Sequence, residues 1–321
     1  MFGDILFIVL GIYCVLAGAD KLTEGASALA RRMNVPEIII GLTIVAAGTS
    51  APELFVSFVS ALKGTPDMAI GNVVGSNTMN AMLIVGCAAM VAPMTISRAT
   101  VRKDIPFAVG ASVLLTMIAL DNSLSRIDGI VLLIGFAAFM TYSLFVAKQM
   151  RHGISEALAA DAQEQEQNTN PTSLGTQILY VVFGLVCLVV GSNVFVDHAS
   201  NVAIALGISE AVVGLTIVAG GTSLPELATS VVAARKGQSA IAIGNVIGSN
   251  VFNILMIMGL TATISPLQIQ GITTVDTAVM LVSIALVWFF SRTRYTVERW
   301  EGALLVVGYL AYLVWLLSAA L

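Results

Sequence analysis

The chain has 321 residues, of which 57% are hydrophobic and only 11% are charged. A mean hydropathy of +0.93 excludes an ordinary soluble domain and indicates an integral membrane protein. The net charge of −4 carries little information, because the positions of the charges matter more than their sum in a protein of this class. We expect the lipid bilayer as the surrounding medium, and neither a nucleic acid nor an obligate protein partner.

The apolar segments, taken in chain order, predict ten membrane-spanning helices. A helix needs roughly 20 apolar residues to cross about 30 Å of hydrocarbon. The first apolar segment has no basic stretch before it and no cleavage site after it, so we interpret it as a span and not as a signal peptide. The predicted fold class is an all-α membrane protein. The ten predicted spans are residues 4–22, 36–62, 68–92, 105–121, 127–147, 174–196, 209–234, 240–264, 273–291 and 300–320.

The basic residues predict how these spans are oriented. With ten spans, the segments that follow spans 1, 3, 5, 7 and 9 face the same side of the membrane. That side holds 13 of the 15 Lys and Arg residues, and only Lys63 and Arg126 lie on the other side. The positive-inside rule places the basic side in the cytoplasm, so both termini are expected to be extracytoplasmic. Residues 148–173, which are rich in Glu, Gln, Asn and Ala, are then a cytoplasmic linker, and an acidic run of this kind is usually solvated.

The sequence repeats itself on either side of this linker. GLTIVAAGTSAPEL begins at Gly41 and GLTIVAGGTSLPEL begins at Gly214, an offset of 173 residues. At that offset, 28 of the 46 residues from 41 to 86 are identical to their counterparts. Each half holds five spans, an odd number, so the second copy must enter the membrane in the opposite sense. The predicted organisation is a first repeat at 1–147, the linker at 148–173 and an inverted second repeat at 174–321, an arrangement typical of secondary transporters with a site near the bilayer midplane.

Each repeat carries a Gly-Thr-Ser-x-Pro-Glu stretch inside an apolar span. Proline removes a backbone donor and glycine favours irregular backbone, so we expect the helix to break near Thr49 and near Thr222. A break within hydrocarbon is tolerated only where it is buried in protein or lines a polar cavity. Glu53 and Glu226 follow the breaks, and an ionised side chain near the bilayer centre costs at least about 2.5 kcal/mol unless it is paired or solvated. Because no Lys or Arg lies in the middle of a span, the expected partner is a bound cation or a proton.

A second recurring motif, Gly-Asn-Val-[Val/Ile]-Gly-Ser-Asn, is followed by Asn80 in one copy and by Asn253 in the other. Small residues and amides of this kind can simply join packed membrane helices. Four motifs in matched positions with two buried carboxylates favour an ion site instead. Ca²⁺ prefers six to eight oxygen ligands in a forgiving geometry, and no His or Cys cluster suggests a soft transition metal. The predicted oxygen ligands are the side chains of Glu53, Glu226, Asn80, Asn253, Thr49, Ser50, Thr222, Ser223, Ser76 and Ser249.

The stretches GTSAPEL...GNVVGSNTMN and GTSLPEL...GNVIGSNVFN closely resemble the alpha repeats of the cation/Ca²⁺ exchanger superfamily, in particular its prokaryotic Na⁺/Ca²⁺ exchangers. The resemblance implies alternating access, with Ca²⁺ and Na⁺ competing for overlapping sites between spans 2, 3, 7 and 8. It also implies backbone carbonyl ligands at Ala46 and Ala219, and sliding of spans 1 and 6 against the rest. Relatives often carry Asp at the position of Asn253, so this chain has two carboxylates where they have three.

The sequence leaves the driving ion open. A Ca²⁺/H⁺ antiporter of the same fold is the nearest alternative to a Ca²⁺/Na⁺ antiporter, because a buried Glu can bind a proton. A cation channel is a more distant one, since repeated pore motifs are also usual there. We expect no enzymatic activity and no cofactor, because His152 and His198 have no catalytic grouping around them.

Overall fold

A computed structural model describes residues 2–160, 173–207, 217 and 219–320. Helices dominate this part of the chain, as predicted. In the first half the helices are α1 (Phe2–Met33), α2 (Glu37–Thr49), α3 (Ala51–Leu62), α4 (Pro66–Val91), α5 (Thr100–Asp121) and α6 (Arg126–Ala160). In the second half they are α7 (Leu174–Ala205), α8 (Ala219–Thr222), α9 (Leu224–Arg235), α10 (Ser239–Ile264), α11 (Thr274–Arg292) and α12 (Arg299–Ala320).

Within the described ranges, eight helices are long and apolar enough to cross a membrane, and the bent pair α2 and α3 makes a ninth span. The predicted span at 209–234 lies partly outside the described residues, which resume with α8 and α9. The chain is therefore a multi-pass helical membrane protein.

The two helix breaks lie where the sequence predicts them. Ser50 separates α2 from α3, which are bent by 46° relative to each other, and Pro52 stands in the first turn of α3. Ser223 separates α8 from α9 in the same way, with Pro225 in the first turn of α9. Proline lacks an N–H and is therefore best accommodated at the start of a helix, so each proline begins a new helix just after the break.

Several of the long helices contain a π-helical stretch, which the sequence analysis does not predict. Asn80–Ile84 lies within α4 and Phe252–Met258 lies within α10. A π-helical turn inserts an extra residue into the α-helical ladder and frequently occurs at a functional site. Both of the predicted amide ligands, Asn80 and Asn253, lie in these stretches.

Short strands join distant loops in a pattern that repeats at the 173-residue offset. The strand β1 (Met94–Thr95) pairs with β4 (Thr296–Val297), and β2 (Ser123–Leu124) pairs with β3 (Leu267–Gln268). Adding 173 to Met94 gives Leu267, and subtracting 173 from Val297 gives Leu124, so the pair Met94 and Val297 has its counterpart in the pair Leu267 and Leu124. The sequence repeat is therefore accompanied by a repeat of contacts.

The helices α1 and α7 run antiparallel in very close contact through glycines. A Cβ atom at Gly18 would lie 2.8 Å from the carbonyl oxygen of Gly184, and one at Gly191 would lie 2.8 Å from that of Gly11. These contacts are also related by the 173-residue offset, which takes Gly11 to Gly184 and Gly18 to Gly191. Small residues thus allow the two backbones to approach each other, as expected for a pair of membrane helices.

Three helices end nine or more residues beyond the predicted spans, so these predicted boundaries are wrong. The span predicted at 4–22 belongs to a helix that ends at Met33, the one at 127–147 to a helix that ends at Ala160, and the one at 174–196 to a helix that ends at Ala205. Apolar windows detect only the part of a helix inside the hydrocarbon, whereas a helix ends where its backbone changes direction, as at Asn34 with a φ of 53°. The predicted linker thus begins inside α6, and residues 161–172 lie outside the described part of the chain.

Candidate cation site between the repeated motifs

The two glutamates are buried in the protein interior. Glu53 lies in the first turn of α3 and Glu226 in the first turn of α9, and each is only 1% exposed. The first turn of a helix has unpaired N–H groups and a positive partial charge, which stabilise a carboxylate. The two carboxylates are also close enough to interact electrostatically. The helix breaks therefore bring two buried acids together at the starts of two helices.

Each glutamate is bound by a serine from the other copy of the motif. The Ser50 hydroxyl donates to Glu226 Oε1 at 3.1 Å, and the Ser223 hydroxyl lies 3.0 Å from Glu53 Oε1. Since 50 and 53 become 223 and 226 at the 173-residue offset, these two contacts are counterparts of each other. The break residues thus join the two motif copies across the site.

The remaining predicted hydroxyl ligands surround the same two acids. Ser249 Oγ lies 3.5 Å from Glu226 Oε1, and Ser76 Oγ lies 3.2 Å from the hydroxyl of Ser223. Thr222 interacts with Glu53, and the Thr49 hydroxyl lies 3.1 Å from Oδ1 of Asn245, whose NH₂ group donates to the backbone carbonyl of Glu226. The structure therefore assembles all six predicted hydroxyl residues around the two carboxylates.

Four oxygens of the predicted ligands are buried and have no hydrogen-bond partner among the residues that the structure describes. They are one carboxylate oxygen from each glutamate and one amide oxygen from each predicted asparagine: Glu53 Oε2, Glu226 Oε2, Asn80 Oδ1 and Asn253 Oδ1. A buried polar atom without a partner is costly, and most buried polar atoms in proteins are satisfied. The four oxygens belong to the four charged and amide ligands that the sequence predicts, and they are suitable ligands for a hard cation.

The two predicted backbone ligands are the carbonyls of Ala46 and Ala219. The Ala46 carbonyl accepts the backbone N–H of Ser50 at 3.0 Å and lies 3.3 Å from the hydroxyl of Thr49. It is therefore already used within its own helix. Ala219 begins α8, next to the break, and the structure describes its backbone only. Coordination by these two carbonyls stays a prediction.

A second pair of asparagines hydrogen-bonds to the backbone of the two glutamates. These two residues are not among the predicted ligands. Asn72 donates to the backbone carbonyl of Glu53 at 3.1 Å and to Ser57 Oγ at 2.9 Å. Asn245 donates to the backbone carbonyl of Glu226 at 3.3 Å and to Ser230 Oγ at 3.0 Å. A signal was present in the sequence, because each of these residues is polar, lies in an apolar span and is identical to its counterpart 173 residues away.

The composition of the site limits its chemistry. In the described part of the chain, no group of three or more His, Cys, Asp or Glu side chains comes together. The site offers carboxylate, amide and hydroxyl oxygens, which suit Ca²⁺, Na⁺ and similar ions. Two ionised carboxylates buried side by side repel each other and are desolvated, so a cation or a proton must compensate their charge.

A helical membrane protein with broken helices and buried acids at the breaks belongs to the class of secondary transporters. The model of the sodium/calcium exchanger protein family matches residues 4–145 and 176–318. The chain belongs to this family, which is a family of transporters and not of enzymes. The gap between the two matched ranges coincides with the predicted linker.

Individual relatives cover almost the whole chain. The inner membrane protein YrbG of Escherichia coli is 38% identical over 314 residues, covering 96% of this chain and 95% of the relative. The sodium/calcium exchanger MaX1 of Methanosarcina acetivorans is 33% identical over 345 residues, covering 97% of each. Among solved structures, the sodium-calcium exchanger NCX_Mj is similar with a TM-score of 0.83 and 29% identity, covering 98% of both chains.

Proposed function

We propose that this protein is an antiporter that exchanges Ca²⁺ for Na⁺ by alternating access, with both ions using the oxygen cluster around Glu53 and Glu226. The observation that carries this proposal is the set of four buried oxygens without partners, two from carboxylates and two from amides. Two bidentate carboxylates and two amide oxygens would already supply the six ligands at the lower end of what Ca²⁺ requires. Two negative charges also balance one Ca²⁺.

The proposal of Na⁺ as the second ion is supported by the hydroxyl groups around both carboxylates, which are hard, neutral ligands. It is also supported by a relative that is named as a sodium/calcium exchanger, and by structures of NCX_Mj soaked with Na⁺ and Sr²⁺ that match this chain with a TM-score of 0.83. With both carboxylates ionised, two Na⁺ leave the cluster neutral and three leave it with one positive charge. Exchange of two Na⁺ for one Ca²⁺ moves no net charge, whereas exchange of three Na⁺ moves one. The current that accompanies exchange therefore reports how many Na⁺ move per Ca²⁺.

A Ca²⁺/H⁺ antiporter is the second candidate. It is favoured by the burial of Glu53 and Glu226, each 1% exposed, because a bound proton neutralises a buried carboxylate just as a bound Na⁺ does. The two candidates use the same site and the same fold, and they differ only in the ion whose gradient drives Ca²⁺.

For the membrane topology we propose ten spans in two inverted repeats, with both termini extracytoplasmic and residues 148–173 cytoplasmic. Contacts between loops support this arrangement, because each joins segments that the topology places on one side. The pairing of β1 with β4 joins the loops after spans 3 and 9, and the pairing of β2 with β3 joins those after spans 4 and 8. Asp67 accepts the backbone N–H of Gln270, and both lie on the predicted outer side.

Alternating access is supported by the two inverted repeats that meet at the site, the architecture of carriers that open to one side at a time. Among the described residues, one contact of α1 has no counterpart in the other half. Lys236, at the end of α9, binds Asp20 Oδ1 at 2.7 Å and Thr23 Oγ1 at 2.9 Å, both on α1. Lys63 is the counterpart of Lys236 at the 173-residue offset, and it is exposed at the end of α3. The counterparts of Asp20 and Thr23 at that offset are Asn193 and Val196, so this difference between the halves follows from the sequence.

The test is Ca²⁺ uptake into proteoliposomes that contain the purified protein, with either an outward Na⁺ gradient or an outward proton gradient. Uptake driven by Na⁺ alone supports the Ca²⁺/Na⁺ antiporter, and uptake driven only by protons identifies the alternative. The variants Glu53→Gln and Glu226→Gln serve as controls for the site. Absence of Ca²⁺ flux under both gradients would contradict the proposal, and a unitary conductance in planar bilayers would replace the antiporter with a channel.

A further inference from the structure

Two asparagines behind the cation site, Asn77 and Asn250, form a crosswise pattern of hydrogen bonds with the two amide ligands. Asn80 Nδ2 donates to Asn250 Oδ1 at 3.1 Å, and Asn253 Nδ2 donates to Asn77 Oδ1 at 3.3 Å. The two bonds are counterparts at the 173-residue offset. Each therefore runs from one copy of the motif to the other, between α4 and α10.

All four amides are buried, with exposures between 0% and 2%. A primary amide carries its oxygen and its NH₂ group on the same carbon and in one plane, pointing in different directions, so fixing the NH₂ group also fixes the direction of the oxygen. In both pairs the ligand asparagine uses its NH₂ group as the donor, and its Oδ1 has no hydrogen-bond partner. The partner asparagine thus decides which end of the ligand amide is left for the site.

The orientation of the amide matters for a cation. With Oδ1 directed at the site, the amide presents a negative partial charge, and with the plane turned over it presents N–H groups that repel a cation. Asn77 is itself held in place, since its Nδ2 lies 3.9 Å from Met280 Sδ on α11. Oδ1 of Asn77 is thereby directed at the NH₂ group of Asn253. Asn77 thus contacts the predicted ligand and not the site itself.

We infer that Asn77 and Asn250 are positioning residues, which hold the amide oxygens of Asn253 and Asn80 toward the transported cation without binding it themselves. The inference rests on the proposed function, because it assigns the two residues a role at the same cation site. Each acts on the ligand of the opposite copy, although a ligand of its own copy lies one helical turn away. Outer-shell partners of this kind typically change metal affinity by about 10- to 100-fold when they are removed.

The crosswise pattern makes the inference testable by double-mutant cycles. Ca²⁺ binding to purified protein is measured by calorimetric titration for Asn77→Leu, for Asn253→Ala and for the double variant. We expect Asn77→Leu alone to weaken Ca²⁺ binding by roughly tenfold or more. We expect no further loss when it is added to Asn253→Ala, since the ligand that it orients is then absent.

The matched control is the pair on the same helix. Asn77→Leu combined with Asn80→Ala should give the product of the two separate losses, because Asn77 does not orient Asn80. The reciprocal cycle, with Asn250→Leu, should show coupling to Asn80→Ala and independence from Asn253→Ala. If either of these asparagines merely holds α4 against α10, its removal affects both ligands alike and the crosswise coupling is absent.

Thermal unfolding without Ca²⁺ is recorded for each variant, so that affinity is compared only between folded proteins, and the reciprocal cycle remains if one leucine variant does not fold. Coupling that follows the crosswise pairs supports the inference. Equal coupling to both ligands, or no loss of affinity in either leucine variant, overturns it. A wild-type protein that binds no Ca²⁺ would instead contradict the proposed function itself, so the two failures are distinguishable.

Discussion

Replacement of one buried acid by its neutral isostere should have opposite effects on ion binding and on protein stability. Glu226→Gln keeps the shape of the side chain and an oxygen that can accept from Ser50, but it removes a charge. Removing one partner of a buried charge pair costs about 3 to 5 kcal/mol. At about 1.4 kcal/mol per tenfold change in affinity, Ca²⁺ binding should weaken by roughly 100- to 4,000-fold.

The protein without Ca²⁺ should be no less stable after this substitution. The wild-type protein must desolvate an ionised group that repels Glu53, and a charge at the membrane centre costs at least about 2.5 kcal/mol when it is uncompensated. The assay is thermal unfolding in detergent with and without Ca²⁺. A ligand at 100 times its Kd stabilises a folded protein by about 2.7 kcal/mol, and this stabilisation should disappear in the variant at the same Ca²⁺ concentration.

The matched control is Glu301→Gln, because Glu301 is also a buried carboxylate, with an exposure of 3%. It accepts the backbone N–H of Glu298 at the start of α12 and lies among residues that take no part in the cation site. Stabilisation by Ca²⁺ should persist in this control. The reasoning is refuted if Ca²⁺ stabilises the Glu226 variant as much as it stabilises the wild type, or if the Glu301 variant loses the effect equally.

Three further predictions concern helix contact, ligand support and stability away from the site. Gly184→Ala would place a Cβ 2.7 Å from backbone atoms of α1, so we expect it to destabilise the protein by about 1 to 3 kcal/mol in thermal unfolding. Gly110→Ala should not, because in the described part of the chain nothing outside its own helical turn lies within 4 Å of the new Cβ. Ser223→Ala removes a hydroxyl 3.0 Å from the Glu53 carboxylate and should weaken Ca²⁺ binding by roughly tenfold in titrations. The control Ser112→Ala, which removes a hydroxyl bonded only to the backbone of its own helix, should leave Ca²⁺ binding unchanged. Tyr312→Phe removes a 2.7 Å hydrogen bond to Asp276, a buried acid on α11, and should destabilise the fold by about 1 to 3 kcal/mol without changing the affinity for Ca²⁺. An altered affinity would connect Asp276 to the cation site.

Local chemistry explains which features of the fold could be predicted. The breaks at Ser50 and Ser223 follow from proline two residues later, because the missing N–H acts within one turn of the chain. The spans follow from apolar windows of sufficient length. The full extent of α1 does not, because its last two turns contain polar residues and contacts such as the 3.0 Å hydrogen bond from Arg31 to Ser27, which hydropathy does not detect.

The residues of the candidate site can likewise be divided into those that the sequence predicts and those that only the fold brings into place. Glu53 and Glu226 are predictable because a carboxylate in an apolar span requires a partner. Their serine neighbours come from the opposite copy, and that crosswise arrangement depends on how two distant segments pack. The supporting role of Asn77 depends on a partner 176 residues away, so it becomes visible only in three dimensions.

Competition between Ca²⁺ and Na⁺ for the purified protein distinguishes one shared oxygen cluster from two separate sites. Ca²⁺ titrations at increasing Na⁺ concentration should show an apparent Kd for Ca²⁺ that rises steadily with Na⁺, with the amount of Ca²⁺ bound at saturation unchanged. The variant with both Glu53→Gln and Glu226→Gln should bind no Ca²⁺ at any Na⁺ concentration. Ca²⁺ binding that is indifferent to Na⁺, or that persists in the double variant, would show that the two ions do not share the cluster around Glu53 and Glu226.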